Sequence, residues 1–114
     1  MSDCIFCKII SKEIPSNVVY EDDKILAFHD LNPAAPKHVL VIPKVHFESL
    51  NDMKAEHAEV MTHMTLKIKE IAGILDIAES GYRVVCNCGD NAGQEVKHLH
   101  YHVIGGRNLQ WPPG

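Results

Sequence analysis

The 114-residue sequence predicts an α+β fold, a mostly antiparallel five-stranded sheet with one long and one short helix, in a single domain spanning 1–114. Three observations predict it. Five short runs rich in branched and aromatic residues are bounded by Gly, Pro, Asn or Asp. One stretch alone sustains a helical period, and no internal repeat or low-complexity segment interrupts the pattern.

"CIFCKIISKEIP" reads as a short helix with Ile5, Phe6 and Ile9 facing inward, closed by Pro15. "NVVYE" and "KILAFHD" follow as strands, and "EDDK" between them has hairpin length. "DLNPAAPK", with two prolines, is a loop crossing to the next strand, "HVLVIP". Then comes the long helix, "NDMKAEHAEVMTHMTLKIKEIAGILDI". Its Met61, Met64, Ile68, Ile71 and Leu75 are spaced 3, 4, 3, 4 on one stripe, and Asn51 or Asp52 could cap its start. The stripe suits packing against the chain's own sheet; its methionines and rhythm also suit pairing with a second copy across a two-fold axis. "YRVVCNC" and "HLHYHVIG" supply the last strands. "NLQWPPG" cannot continue them, because two prolines bring no ladder donors.

Composition excludes several functions. The net charge is −4, with acids and bases interspersed and no basic run, which argues against a nucleic-acid partner or a membrane surface but permits a small nucleotide. "MSDCIFCKII" lacks the features of a secretory signal, and no apolar run approaches the roughly 18 residues of a membrane span. A cytoplasmic location is expected. Thiols stay reduced there, so Cys4, Cys7, Cys86 and Cys88 are read as metal ligands or buried thiols rather than disulfides.

In "HLHYHV", His98, His100 and His102 alternate with Leu99, Tyr101 and Val103. On a strand this puts three imidazoles in one row, neighbours roughly 7 Å apart, opposite an apolar row that faces the core. The row could be the solvated face of a half-buried strand. As a metal cage it is awkward, since a third ligand four residues away fits only if the strand bends. Catalysis uses it better: a neutral imidazole is a nucleophile and proton carrier, and the middle one has help on both sides. Gly105 and Gly106 would let a ligand approach the backbone closely. "CNCGDNAGQEVK", with Asn87, Gly89, Gly93 and Gln94, is a glycine-bearing loop suited to a phosphate, or simply to a turn.

"HLHYHVI" has the form His-φ-His-φ-His-φ-φ, and the chain closely resembles the histidine-triad (HIT) family, in particular its Hint branch of nucleoside phosphoramidases. "IFCKIISKEIPSNVVYEDD", "LAFHDLNPAAPKHVLVIPKVH", "GYRVV", "GGR" and the terminal "WPPG" extend the resemblance over nearly the whole chain. The dinucleoside-polyphosphate-cleaving branch is similar in the triad but lacks the "GGR" to "WPPG" ending. The resemblance implies a homodimer whose two sheets join across the two-fold, with the long helix near that interface. It implies a purine nucleoside monophosphate site, with Ile5, Phe6, Ile9, Phe28 and Leu31 around the base and Asp30 on the ribose hydroxyls. His100 would attack phosphorus and form a nucleotidyl-imidazole intermediate. His102 and Asn87 would hold phosphate oxygens beside the backbone N–H groups of Gly93, Gln94 and Glu95, and His38 would relay the proton of His100. Trp111 would reach the partner's site or dock on its own subunit. One departure stands out: Glu95 occupies a position where the Hint pattern usually has serine, which bears on the leaving group.

"CIFC" spaces two thiolates for zinc, though two ligands are half a tetrahedral site. Some bacterial relatives that the chain resembles pair such cysteines with the histidine of "IPKVH" and the first triad histidine. Here these are His46 and His98, implying a structural Cys₂His₂ zinc. The alternatives are buried thiols, or a four-cysteine site that adds Cys86 and Cys88; otherwise those two flank Asn87 on one strand face as core.

The expectation is therefore a dimeric nucleotidyl hydrolase cleaving the P–N bond of purine nucleoside phosphoramidates, including aminoacyl- or lysyl-AMP-type compounds, with no cofactor in the chemistry. Dinucleoside polyphosphate hydrolysis and a zinc-stabilised nucleotide-binding module with little turnover are the alternatives.

Overall fold

Two apolar faces on one sheet organise the molecule, whose computed structural model describes residues 3–114. The elements run α1 (Ile5–Ile10), β1 (Val18–Glu21), β2 (Ile25–His29), β3 (Lys37–Pro43), α2 (Ala58–Ile74), β4 (Tyr82–Val85) and β5 (Tyr101–Gly105). Every strand pairing is antiparallel, in the order β1-β2-β3-β5-β4. None of the described helices is long and apolar enough to cross a membrane.

Alternation sorts the side chains of the central strands. Ile25, Ala27, Val39, Val41 and Val103 point toward α2 and form a core with Met64, Ile68, Ile71 and Leu75, the stripe read from the helix period. Met61 is partly buried at its edge. Leu26, Phe28, Leu40 and Ile42 point the other way and meet Phe6 and Ile9 of α1. With both faces covered, β2 and β3 read as continuous apolar runs.

The structure differs from the sequence expectation at four places. First, α2 begins at Ala58, and neither Asn51 nor Asp52 caps it. Two 3₁₀ turns, Leu50–Asp52 and Ala55–His57, precede it, and extended Met53 and Lys54 break the pattern between them. Ser49 caps the first turn, its hydroxyl accepting from the Asn51 N–H at 3.2 Å.

Second, β5 starts only at Tyr101, so His98 and His100 lie before the strand. On the β5 side the last paired residue of β3 is Val41, opposite Tyr101; two residues on, Pro43 has no N–H to offer another rung. The Leu99 amide turns instead to Phe47 O at 2.8 Å, and the His98 side chain reaches Pro43 O at 2.9 Å. Side-chain alternation nevertheless survives, with Leu99 in the α2-side core and the imidazoles on the α1 side.

Third, β4 ends at Val85, so Cys86, Asn87 and Cys88 leave the sheet. Cys86 packs on the α2-side core, while Cys88 meets Ser49 and the backbone of Leu50 and Asn51. Fourth, Gly105 and Gly106 permit close approach to the chain itself rather than to a ligand. A Cβ on Gly105 would meet Ile77 Cδ1 at 3.0 Å, and one on Gly106 (φ +94°) would meet Pro36 at 3.0 Å.

Candidate functional site

On the α1 face, where β2, β3 and β5 end beside the 87–96 loop, the chain leaves a cavity of about 470 Å³. Its apolar wall is Ile5, Phe6 and Ile9 of α1 with Phe28 and the exposed Leu31; its polar wall is Asp30, Asn87, Gly93, Glu95, His100 and His102. Asn17 and Leu40 also line it, and sequence reading missed both, since "NVVYE" and "HVLVIP" read only as strands.

Two residues of the expected site do not line this cavity, Gln94 and Trp111, the latter expected at a partner's site or docked on its own subunit. Gln94 is buried and turned away from the cavity: its Oε1 accepts from Gly89 N–H at 3.0 Å, and its Nε2 donates to Glu48 O at 2.6 Å and Val96 O at 3.1 Å. Trp111 is 80% exposed, with the Arg83 guanidinium 5.9 Å from its ring centroid, and touches no part of this chain's cavity. The implied cradle of three backbone N–H groups is also reduced. Gly93 (φ +83°) and Gln94 close a turn, donating to Asp90 O and Gly89 O, so at most the Glu95 amide remains for an anion.

Hydrogen bonds assign the proton on each imidazole. A carbonyl can only accept, so the 2.7 Å contact from His100 Nδ1 to His98 O fixes a proton on Nδ1 and leaves the Nε2 lone pair free. The Ala34 N–H donates to His38 Nδ1 at 2.9 Å, so the proton of neutral His38 sits on Nε2 and is donated to His102 Nδ1 at 2.9 Å. His102 therefore carries its own proton on Nε2, and His38, expected behind His100 as its proton relay, is bonded to His102 instead, while His100 Nδ1 is bonded to the His98 carbonyl. Asp30 Oδ2 lies 3.4 Å from His38 Nε2, and Oδ1 accepts from the Asn32 N–H.

The alternative of a solvated face does not hold, since the row is largely buried: His98 and His100 are 0% and 6% exposed. Burial accordingly holds the triad neutral. It pushes His102 down to about 4, helped by the neighbouring His100 and His38 and opposed by Asp30. His100 and His38 are lowered by burial too, against the His98 carbonyl and Asp30 for the first and Asp30 for the second. An unprotonated, buried, tautomerically fixed His100 is what nucleophilic attack requires.

A second cluster adjoins the first. Cys4, Cys7, His46 and His98 present ligand atoms all within 4.8 Å of one another. His98 Nδ1 lies 3.4 Å from Cys4 Sγ, 3.7 Å from Cys7 Sγ and 3.0 Å from His46 Nδ1, and Cys7 Sγ lies 3.4 Å from His46 Nδ1. Ligands of a tetrahedral zinc sit about 3.3 to 3.8 Å apart; the three sulfur–nitrogen separations fall in that range, the two imidazole nitrogens stand closer at 3.0 Å, and the donor set fits in kind. Cys4 is also the N-cap of α1, its sulfur accepting from Cys7 N–H at 3.4 Å. The His98 Nε2–H to Pro43 O bond leaves Nδ1 bare toward the cluster, and burial pushes this imidazole down to about 4. Burial and Cys4 push the Cys7 thiol up to about 11; a divalent cation reverses that balance by binding thiolate. The alternative four-cysteine site is not formed, since Cys86 and Cys88 fall outside this cluster.

Comparison with known proteins agrees with this arrangement. The chain is 52% identical to an uncharacterized HIT-like protein of Synechococcus elongatus, over 98% of this chain and 97% of that one. It is 50% identical to a 14 kDa zinc-binding protein of Zea mays, over 99% of this chain and 89% of that one. The crystal structure of a HIT family hydrolase from Legionella pneumophila Philadelphia 1 superposes with a TM-score of 0.95 at 46% identity, covering 98% of this chain and 100% of that one. Residues 11–109 match the HIT domain, and the chain belongs to the HIT domain family.

Proposed function

We propose that the protein is a nucleotidyl hydrolase of the Hint type, cleaving the P–N bond of purine nucleoside phosphoramidates, aminoacyl- and lysyl-AMP-type compounds included. The observation that carries this reading is His100, whose Nδ1–H is held by the His98 carbonyl at 2.7 Å while Nε2 is free at a cavity of nucleotide size. The Legionella relative, named a hydrolase, supports the hydrolytic outcome.

In this reading the purine lies among Ile5, Phe6, Ile9, Phe28 and Leu31, and Asp30 accepts from the ribose hydroxyls with the lone pairs that Asn32 N–H leaves. The phosphate faces His100, with the His102 Nε2–H and Asn87 on its oxygens. His100 Nε2 attacks phosphorus and the P–N bond breaks, the amine leaving with a proton taken up from solvent. The resulting nucleotidyl-imidazolium keeps its Nδ1–H on the His98 carbonyl, which stabilises the positive charge. Water then attacks phosphorus, releasing a proton to solvent that balances the one taken by the amine, and the bond to Nε2 breaks. Substrate and one water become nucleoside monophosphate and amine, and the imidazole is restored. His38 fixes the tautomer of His102 throughout.

Glu95 distinguishes this reading from dinucleoside polyphosphate cleavage. Its carboxylate stands exposed at the cavity rim, where it repels a polyphosphate leaving group and tolerates an amine. Zinc on Cys4, Cys7, His46 and His98 serves structure here, supported by the donor set and by the name of the maize relative; the chemistry draws on no cofactor. Reduced thiols at that cluster suit a cytoplasmic location. A homodimer is supported by the edge strand β4, where Val84 stays 41% exposed on the face α2 covers, and by Trp111, left free to meet a partner's cavity. The net charge of −4 supports neither a nucleic-acid nor a membrane partner.

The test is hydrolysis of an adenosine phosphoramidate, followed by AMP release. H100A is expected to lose at least about 10³-fold in turnover; undiminished turnover ends the proposal. Faster release of AMP from a diadenosine polyphosphate would favour the second enzyme reading. Tight AMP binding without hydrolysis would favour a binding module.

A further inference from the structure

His98 belongs to both clusters at once. Its side chain turns Nδ1 to the Cys4, Cys7 and His46 ligand atoms, while its backbone carbonyl accepts the proton that fixes His100. In the sheet proper, ladder hydrogen bonds would hold such a carbonyl. Here β5 begins only at Tyr101, so the 98–100 segment depends on other anchors: the His98 ring between Pro43 O and the cluster, and the Leu99 amide on Phe47 O. One of those anchors, Phe47, directly follows the ligand His46.

A second contact runs from the same cysteines to the same imidazole. Phe6 lies between Cys4 and Cys7 and packs edge-on against His100, ring centroids 5.1 Å apart at 88°. It touches His98 likewise, at 5.9 Å and 69°. The four ligands come from three separate stretches of chain: the start of α1, the exit of β3 and the 98–100 segment. A metal ion on them would tie together the segments that carry the His98 carbonyl and Phe6, the two contacts on His100.

We infer that Cys4 and Cys7 are positioning residues for His100, acting through the metal they share with His46 and His98. The inference rests on His100 being the nucleophile, as proposed above. The metal makes no contact with substrate; its effect is to hold the His98 carbonyl and Phe6 where His100 stays an Nδ1–H tautomer with Nε2 aimed at phosphorus. Attack needs near-contact alignment, and misplacement by a fraction of an ångström to one ångström costs about ten- to a hundredfold in rate.

The test compares wild type, C7S and C7H, full length, below their unfolding temperatures. Metal content, ¹⁵N-histidine NMR of the His100 tautomer and the single-turnover rate of nucleotidyl transfer are read together. C7S is expected to lose the metal, to show a mixed His100 tautomer, and to slow transfer by about ten- to a hundredfold, with kcat falling more than KM rises. C7H, which retains four possible ligands, is expected to recover metal, tautomer and rate. If C7S does not fold, wild type stripped by a chelator in the cold gives the same comparison.

Metal-free protein that keeps the Nδ1–H tautomer and the wild-type rate, with only its melting temperature lowered, overturns the inference. Should the wild type transfer no nucleotide at all, the reading of His100 as nucleophile fails. The tautomer measurement then stands alone: a metal-dependent tautomer upholds the coupling, and an unchanged one overturns it.

Discussion

Replacing Gln94 with alanine separates a loop clamp from a nucleotide contact. The wild-type side chain holds three backbone groups: Gly89 N–H, Glu48 C=O and Val96 C=O, at 3.0, 2.6 and 3.1 Å. It is 5% exposed, so Q94A leaves all three groups in a space that water fills only in part. At about 1 kcal/mol for each group left without its partner, the loss is about 2–3 kcal/mol. For a chain of this length that corresponds to a fall in melting temperature of about 8–12 °C. Q94E retains the acceptor for Gly89 but sets a carboxylate against two carbonyl oxygens, so it is expected to be at least as damaging. Thermal and urea unfolding measure the stability, and calorimetric titration with AMP measures the site. A Q94A protein that unfolds like wild type but binds AMP about tenfold more weakly would refute the reasoning and return Gln94 to the nucleotide.

Three other perturbations follow from the same geometry. Asp22 takes four hydrogen bonds: Lys24 N–H and Ile25 N–H on Oδ1, and the Tyr20 hydroxyl and His63 Nε2–H on Oδ2. Burial alone would raise its carboxyl, but these bonds together hold it well below the usual carboxylate range, so D22N should lower the urea-unfolding free energy by about 1–2 kcal/mol at pH 7. His102 is faced by His38, His100 and Asp30 and titrates near 4 in the fold against 6.5 when unexposed to that burial. As pH falls the unfolded chain therefore takes up its proton first. The stability His102 contributes is complete above about 6.5 and is lost on the way down to about 4, on the order of 2–3 kcal/mol; H102N should make the fall of the urea midpoint across that window shallower, His98, His100 and His38 keeping the remainder. D30N should weaken AMP binding by about tenfold while leaving 2′-deoxy-AMP affinity less affected, measured by the same calorimetric titration; equal losses for both would remove Asp30 from the ribose.

Local pattern made the strands and the long helix legible. Met64, Ile68, Ile71 and Leu75 face the core as their spacing says, and "HVLVIP" and "KILAFHD" pair residue for residue. Boundaries set by distant residues were not legible. The start of β5 depends on Pro43, and Leu99 is drawn off by Phe47 O, more than fifty positions earlier in the chain. The α2 start depends on the extended Met53 and Lys54, which apolar periodicity does not register.

The site shows the same division. Alternation in "HLHYHV" put three imidazoles on one side, but their burial and tautomers follow from His98 O, Ala34 N–H and the phenyl ring of Phe6. Gln94 looked like part of a phosphate loop because its partner Glu48 lies 46 positions away. "CIFC" announced half a metal site; the other half, His46 and His98, becomes geometry only when β3 and the 98–100 segment meet α1. Asn17 and Leu40 carry no chemical pattern, and only the fold brings them to the cavity.

The central claim is that His100 Nε2 forms the bond to phosphorus. Protein quenched in acid-free denaturant during turnover of an adenosine phosphoramidate, digested and analysed by mass spectrometry, tests it directly. The account predicts one adenylyl group on the peptide bearing His100, absent in H100A and labile to acid as a phosphorus–nitrogen bond must be. Steady turnover with no adenylated histidine, or with the label on another residue, would contradict it.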